Sequence, residues 1–523
     1  MTNNSRRKQV LAGTFLLTIA SFVAKFLSAV YRVPFQNMVG NVGFYVYQQI
    51  YPIYGIGMTV ALTGLPLFIS KLVVDVKNPE DRIALVYRIQ VIVTFLSVGF
   101  FLLLQFGSGF IAQAMSDSRL APVIRAVSWM FLLGPFLSTW RGYFQGQMDM
   151  RPTAYSQVIE QVVRVTFILV SAGWAVRHFA DPYTIGTLAM LSAPIAGLCA
   201  LVSVYYHVVR ARLPKSSHRQ VYRRLFTKIL FEGGTLCLVS AVMLLLQLVD
   251  SFSVVSGLRD FGLSFVEAQN IKGIYDRSQT LVQLGMVVTT ASITAALPSL
   301  SLANVRKQDV TFLHLSKTNV RVNLAISMAM SAGLFVLMPD INGLLFSTAQ
   351  LNLTIAVYCF SIVLTTIILT YNMVLQARGY YAPTMLAITC GFVVKLIINK
   401  WLVATFGIIG ASAATLIGLI VMIFLMKLIA SRYLSHLIDG VQLIKLTSVL
   451  LAMMIVVGGL SRLVDNIGLF APGRLQSLIV VVICIPIGIA MFFYGCKRLK
   501  VFSIREWFAI PLLSKLMRRI KLR

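Results

Sequence analysis

The sequence predicts an all-α polytopic membrane protein of about fourteen transmembrane helices, two six-helix lobes around a central cavity plus two extra C-terminal helices. Three observations carry this. Of 523 residues, 58% are hydrophobic and only 12% charged, about half the charged fraction of a soluble domain. Apolar runs long enough to cross a ~30 Å hydrocarbon core recur along the whole chain. Motifs of the first part also return, in order, some 230 residues downstream.

Apolar stretches of about 18 residues or more place the spans at 10–33, 43–70, 89–106, 122–140, 153–176, 184–208 and 229–256, then at 276–302, 322–346, 353–375, 383–404, 407–426, 446–464 and 475–496. The first follows Arg6, Arg7 and Lys8 with no small-residue cleavage site, so it is expected to be a retained span and not a signal peptide. Pro52, Pro66, Pro135, Pro194 and Pro298 fall inside spans, where kinks are tolerated if neighbouring helices satisfy the freed backbone. The chain divides into an N-lobe (1–210, spans 1–6), a basic linker (211–228), a C-lobe (229–432, spans 7–12), two further spans (433–496) and a tail (497–523).

The net charge is +29, from 46 Lys and Arg against 17 Asp and Glu. These cations lie between apolar spans, not along a soluble face interleaved with aromatics, which argues against a nucleic-acid partner. With a cytoplasmic N-terminus, 33 of the 46 basic residues fall on cytoplasmic segments, including the linker from Arg210 to Lys228. The positive-inside rule then puts both termini in the cytoplasm of a plasma-membrane protein. In the tail, Val501, Phe502, Trp507, Phe508, Ile510, Leu512, Leu513 and Leu516 alternate with Lys and Arg. Two readings stay open: an interfacial segment on anionic membrane lipids, or a solvated basic tail that fixes topology. Cys199, Cys237, Cys359, Cys390, Cys484 and Cys496 form no C-x-x-C pair and read as packing residues.

The internal repeat is ordered. Gly43 and Tyr45 return as Gly273 and Tyr275, Gln49 as Gln279, Gly55 as Gly285, Thr59 as Thr289, and Pro66 as Pro298. Gln145, Pro152, Thr153 and Arg164 fall on Gln376, Pro383, Thr384 and Lys395, and Gly186 and Gly197 on Gly407 and Gly418. Six crossings restore the starting side, so the lobes are parallel repeats about an axis along the membrane normal, the plan of an alternating-access transporter.

Charges inside apolar spans each cost roughly 2.5–3.5 kcal/mol on insertion scales and call for a role. Among them are Lys25, Arg32, Arg164, Arg277 and Lys395, with Glu160, Asp250 and Asp276. Lys25 and Arg32 are two helical turns apart on one face. Together with Arg277 they would make a cavity cationic and suited to phosphate. Arg32, near a span end, has snorkelling to the interface as its competing role. Glu160 and Arg164, at i and i+4, are expected to neutralise each other. Asp250 reads as a proton or cation site, Lys395 as a strut or gating charge. No G-x-x-x-x-G-K-[ST] loop, H-E-x-x-H motif or acid-base cluster is present, so neither an enzyme nor a nucleotide-driven pump is expected. The energy would come from a coupling cation (Na+ or H+), the membrane potential or the cargo gradient.

Several of these motifs resemble a known family. Lys25-Phe26-Leu27 through Arg32 with Gly40 and Gly43, Gly64-Leu65-Pro66 with Ser70-Lys71, Gln145-Gly146 before Pro152-Thr153-Ala154, and Tyr275-Asp276-Arg277 with Leu297-Pro298-Ser299 resemble the multidrug/oligosaccharidyl-lipid/polysaccharide (MOP) exporter superfamily, in its polysaccharide-biosynthesis branch of SpoVB-like and MurJ-like lipid II flippases. The resemblance implies a flippase for undecaprenyl-diphosphate-linked sugars in peptidoglycan synthesis. Lys25, Arg32 and Arg277 would contact the diphosphate, and spans 13 and 14 would form a groove for the lipid tail. Asp250 with Asn399 would hold a coupling ion, and cell-wall synthesis enzymes would be partners. Two features depart from the pattern: no Arg lies between Tyr51 and Leu65, and no acid lies near Phe44. The chain therefore resembles the SpoVB-like side more closely. A teichoic or capsular lipid-linked glycan, a multidrug substrate and a non-transporting envelope scaffold are the alternative readings.

Overall fold

The computed structural model describes residues 3–211, 225–435, 437–467, 473–503 and 506–507. The described chain is helical throughout, and packing divides it into two compact units, Met1–Asp276 with Asn399–Gly407, and Arg277–Ile398 with Ile408–Arg523.

In the first unit, α1 (Asn3–Val30) is followed at once by α2 (Arg32–Thr59), and the bonds Tyr31 N to Leu27 O and Phe35 N to Tyr31 O carry the helix across the junction. The reversal comes at Gly40, whose φ of 73° breaks the helical backbone. Glycine occupies this conformation without the Cβ clash other residues would meet. A π-helical turn, Val60–Gly64, then leads into α3 (Leu65–Asp75). The helices α4 (Pro79–Ala114), α5 (Ala121–Gly146), α6 (Arg151–Arg177) and α7 (Pro182–Arg210) each carry Pro in the first turn, where its missing N–H removes no intrahelical bond. The chain continues with α8 (Leu225–Lys228), a π turn at Ile229–Gly233, α9 (Gly234–Ser240), α10 (Val242–Asp260) and α11 (Phe265–Tyr275). Ser264 and Glu267 close the N-terminus of α11 with a capping box.

The second unit holds α12 (Arg277–Val305), α13 (Asp309–Val336), α14 (Met338–Phe346), α15 (Asn352–Tyr358), α16 (Ser361–Ala377), α17 (Ala382–Phe406), α18 (Ile409–Ile429), α19 (Ser431–Leu434), α20 (Gly440–Ile467) and α21 (Arg474–Arg498). The last turns of α17, from Asn399 onward, pack with the first unit.

Thirteen helical stretches among the described residues are long and apolar enough to cross a membrane, the first being the 57 residues Ile19–Asp75. At 1.5 Å per residue such a stretch is far longer than one ~30 Å core, and its reversal at Gly40 makes it two crossings. The expected fourteen spans are therefore met, although several limits move. Span 3 lengthens into α4, and span 9 starts at Asp309 and ends in two pieces. Outside the hydrocarbon a polar turn extends a helix without a desolvation penalty, so hydropathy underestimates helix length. Most of the basic linker, His218 and His436, and nearly all of the tail from Ile504 onward lie outside the described residues. Of the tail, Trp507 packs against Phe493 and Phe502, and Glu506 pairs with Arg321 of α13.

Without a hydrophobic force between helices in lipid, close packing uses small residues. Gly142 and Gly146, one turn apart on α5, lie against Ile69 and Val73 of α3, and a Cβ at either would come within 2.7 Å of those side chains. The repeat relates sequences, whereas packing places α10 and α11 against α2 in the first unit. There Asn41 donates to Asn270 at 2.9 Å. Buried Asp117 accepts from Tyr45, Tyr183 and Gln269 at 3.1, 2.7 and 3.0 Å. Gly273 lies so close to α2 that an added Cβ would stand 2.1 Å from the Asn41 carbonyl oxygen. Gly273→Ala should therefore push α11 off α2 at a cost of about 1–3 kcal/mol, read as a lower thermal midpoint of the purified protein and faster thiol labelling of an Asn270→Cys reporter.

Candidate functional site

Two turns of helix separate Lys25 from Arg32, and the unbroken junction at Tyr31 keeps both on one face, as the spacing predicts. Their surroundings differ. Lys25 is exposed on α1, whereas Arg32 is 1% exposed. Arg32 does not snorkel: its guanidinium lies 4.1 Å from the centre of the Tyr51 ring.

The expected neutralisation of Arg164 by Glu160 is not made. Glu160 accepts instead from Arg141 Nη2 at 2.7 Å, and Arg141 Nε donates to Ser156 at 2.9 Å, with both partners of the pair buried. Hydropathy ends span 4 at residue 140, but α5 runs on to Gly146 and carries Arg141 into the protein. A bidentate-capable cation on α5 thus reaches the carboxylate that helical spacing alone assigned to Arg164.

Arg164 points instead into a set of tyrosines. Its Nη2 donates to the hydroxyls of Tyr31 and Tyr47 at 3.2 and 2.8 Å, which are themselves 2.6 Å apart. Its guanidinium carbon lies 3.9 Å from the centre of the Tyr54 ring, close enough for a cation–π contact. Tyr47, Tyr51 and Tyr54 fall at i, i+4 and i+7 on α2, so a one-face aromatic stripe was present in the sequence. Its role as the wall around two arginines was not legible there.

Asp250 and Asn399, 149 residues apart, do come together in the first unit. Asn399 Nδ2 donates to Asp250 Oδ1 at 3.1 Å and to Ser253 Oγ at 2.7 Å, with Asp250 and Asn399 fully buried. Asn399 thus turns its amide N–H groups to Asp250 and Ser253; with the amide reversed, the carboxylate, amide and hydroxyl oxygens would be the kind of donors a hard cation takes. Among the described residues no three His, Cys, Asp or Glu side chains converge on one point. Asp276 is ion-paired with Lys272, one turn earlier and equally buried. Lys272 reads in the sequence as a loop residue, because the apolar window starts after it.

In the second unit, Arg277 opens α12, is 3% exposed, donates to Asn342 Oδ1 at 3.2 Å and lies 4.7 Å from the Phe346 ring centre. Lys395, fully buried in α17, donates to Thr415 of α18 at 2.8 Å. That bond joins α17 to α18.

A chain whose described residues are largely helical, without strands, and make fourteen crossings, duplicated in sequence and with cations buried inside its helices, has the architecture of a membrane transporter and not of an enzyme. The model of the family described as polysaccharide biosynthesis protein matches residues 10–304. The chain is 34% identical to the uncharacterized membrane protein YabM of Bacillus subtilis (strain 168), over 98% of both chains. It is 24% identical to the lipid II flippase MurJ of the same organism, over 94% of this chain and 95% of that one. Its fold matches a solved structure of lipid II flippase MurJ in an inward closed conformation with a TM-score of 0.68 and 14% identity, covering 97% of this chain and all of the other. The chain belongs to the polysaccharide biosynthesis protein family.

Breaking the buried ion pair should cost more than removing it. Arg141→Met, which strands Glu160, should lose about 3–5 kcal/mol of stability, while Arg141→Met with Glu160→Met should recover most of it. Thermal midpoints of the three proteins in one detergent check this.

Proposed function

We propose that the protein is a flippase that carries an undecaprenyl-diphosphate-linked sugar, lipid II in particular, from the inner to the outer leaflet of the cytoplasmic membrane by alternating access, with both termini in the cytoplasm. The observation that carries the reading is Arg32, a buried guanidinium that leans on an aromatic ring and makes no ion pair among the described residues. A cation kept at this cost inside an apolar bundle suits an anionic cargo, and guanidinium suits phosphate oxygens. Lys25 and Arg32, and Arg277 in the second unit, are the proposed contacts to the diphosphate. Relatives named for lipid II transport support the substrate class. Spans 13 and 14, now α20 and α21, are the proposed bed for the polyprenyl tail, and anionic lipids and cell-wall synthesis enzymes the proposed neighbours.

Asp250 and Asn399 are the proposed site of a coupling cation, Na+ or H+. Their side chains meet on helices far apart in sequence, so occupancy there would tie α10 to α17 and bias one arrangement of those helices over another.

Complementation tests the reading. In a bacterium depleted of its lipid II flippase, wild-type protein should restore growth and clear lipid II from the cytoplasmic face. Arg32→Ala and Arg277→Ala, at matched membrane levels, should not, and Lys25→Ala should rescue weakly. Failure of a well-expressed wild type would reject lipid II and turn the search to teichoic or capsular lipid-linked intermediates. For the cation, Asp250→Asn should abolish the dependence of transport on sodium, proton or potential while headgroup binding persists; an unaltered ion dependence would make Asp250 structural.

A further inference from the structure

Counting donors and acceptors around Arg164 gives an imbalance. Arg164 is 2% exposed, and among the described residues its Nε has no hydrogen-bond acceptor in reach; the same is true of Nε and Nη2 of Arg32, and the Tyr54 hydroxyl has no hydrogen-bond partner there. The Tyr31 and Tyr47 hydroxyls share one hydrogen bond between them while both accept from Arg164. Each hydroxyl has one proton, so one of the two protons stays outside this trio. Arg32 and Arg164 are linked through the same ring, lying 4.1 and 5.8 Å from the centre of Tyr51. Glu160, the carboxylate nearest in sequence, is held by Arg141. The cluster therefore presents two positive charges and several donors against ring faces and hydroxyl oxygens. Buried donors left unmatched are costly, and the ligand that matches this set is an anion with several acceptor oxygens.

We infer that Arg164 is a direct ligand of the cargo's diphosphate and that, with Arg32 and the tyrosines at 31, 47, 51 and 54, it forms an anion site wholly within the first unit. This inference rests on the flippase reading and adds a residue that spacing assigned to a structural pair. Arg164's present contacts are to neutral hydroxyls and a ring. Exchanging them for phosphate oxygens sets a full negative charge against the guanidinium and allows bidentate contacts, which neutral hydroxyls do not offer. The tyrosine hydroxyls released by that exchange can themselves donate to the phosphate. The repeat-equivalent position carries the buried Lys395, so each half of the sequence holds a cation at this point of its fifth helix.

The test is calorimetric titration of the full-length protein in zwitterionic-lipid nanodiscs. Inorganic pyrophosphate serves as the soluble probe, a polyprenyl diphosphate as the lipid-borne one and phosphatidylglycerol as an ordinary anionic lipid. Wild type should bind both diphosphates and discriminate against phosphatidylglycerol. Arg164→Gln should weaken both diphosphates by about tenfold or more. Arg164→Lys, which keeps charge and bulk but loses the guanidinium fork, should weaken them less. Tyr54→Phe, which keeps the ring over Arg164, should cost a few-fold. The double variant Arg141→Met with Glu160→Met should bind as wild type does, separating a ligand from a packing role. If Arg164→Gln does not fold, Arg164→Lys and Tyr54→Phe carry the decision. Arg164 variants that bind pyrophosphate like a binding-competent wild type overturn the inference and leave the flippase reading standing. Wild type that binds neither diphosphate overturns both, and equal binding of phosphatidylglycerol overturns the assignment to diphosphate.

Discussion

A charge enclosed by apolar helices needs compensation close by, and the way each buried charge finds it organises this protein. In the first unit Arg141 and Glu160 tie α5 to α6, and Lys272 and Asp276 settle their charges one turn apart. Asp250 reaches across to Asn399 and so joins α10 to α17. Arg32 and Arg164 take the remaining solution, a wall of tyrosines that offers ring faces and hydroxyl oxygens but no formal negative charge. Paired charges fix helices to each other. Cations held only by neutral groups stay available to an anion, which connects the packing of this unit to the proposed transport of a diphosphate-linked cargo.

Where helices meet, two kinds of contact occur. The approach of α5 to α3 at Gly142 and Gly146 is close, with aliphatic side chains seated against bare backbone. The contact of α2 with α11 combines the close seat of Gly273 with hydrogen bonds from Asn41 to Asn270 and from Gln269 to Asp117 and Tyr183. The contact of α2 with α11 is thus polar where that of α3 with α5 is aliphatic.

Much of the fold was legible along the chain. Apolar length counted the crossings because no exposed backbone polar group is tolerated in lipid, so each crossing must be a helix. The site was legible in part. Asp250 could be picked out because a charge inside an apolar run stands out against its neighbours, Asn399 only through the family resemblance, and the two prove to be partners. The Glu160 and Arg164 pairing could not be judged that way. Helical spacing permits it, but the competing Arg141 arrives from another helix, and hydropathy had left that residue in a loop.

The sequence by itself thus determined the helical class, the number of crossings, the duplication and the identity of the charges the bundle must accommodate. These properties are local: hydropathy and periodicity are read over one or two dozen residues, and lipid enforces them on each helix separately. Only the tertiary structure decided which charge answers which. It assigned Glu160 to Arg141, brought Asn399 to Asp250 and set Arg164 beside Arg32 among the tyrosines of α2. The physical reason is that pairing depends on how each helix is rotated and how closely it approaches its neighbours. That is fixed by contacts such as the glycine seats at Gly142, Gly146 and Gly273, between residues that sequence spacing does not relate.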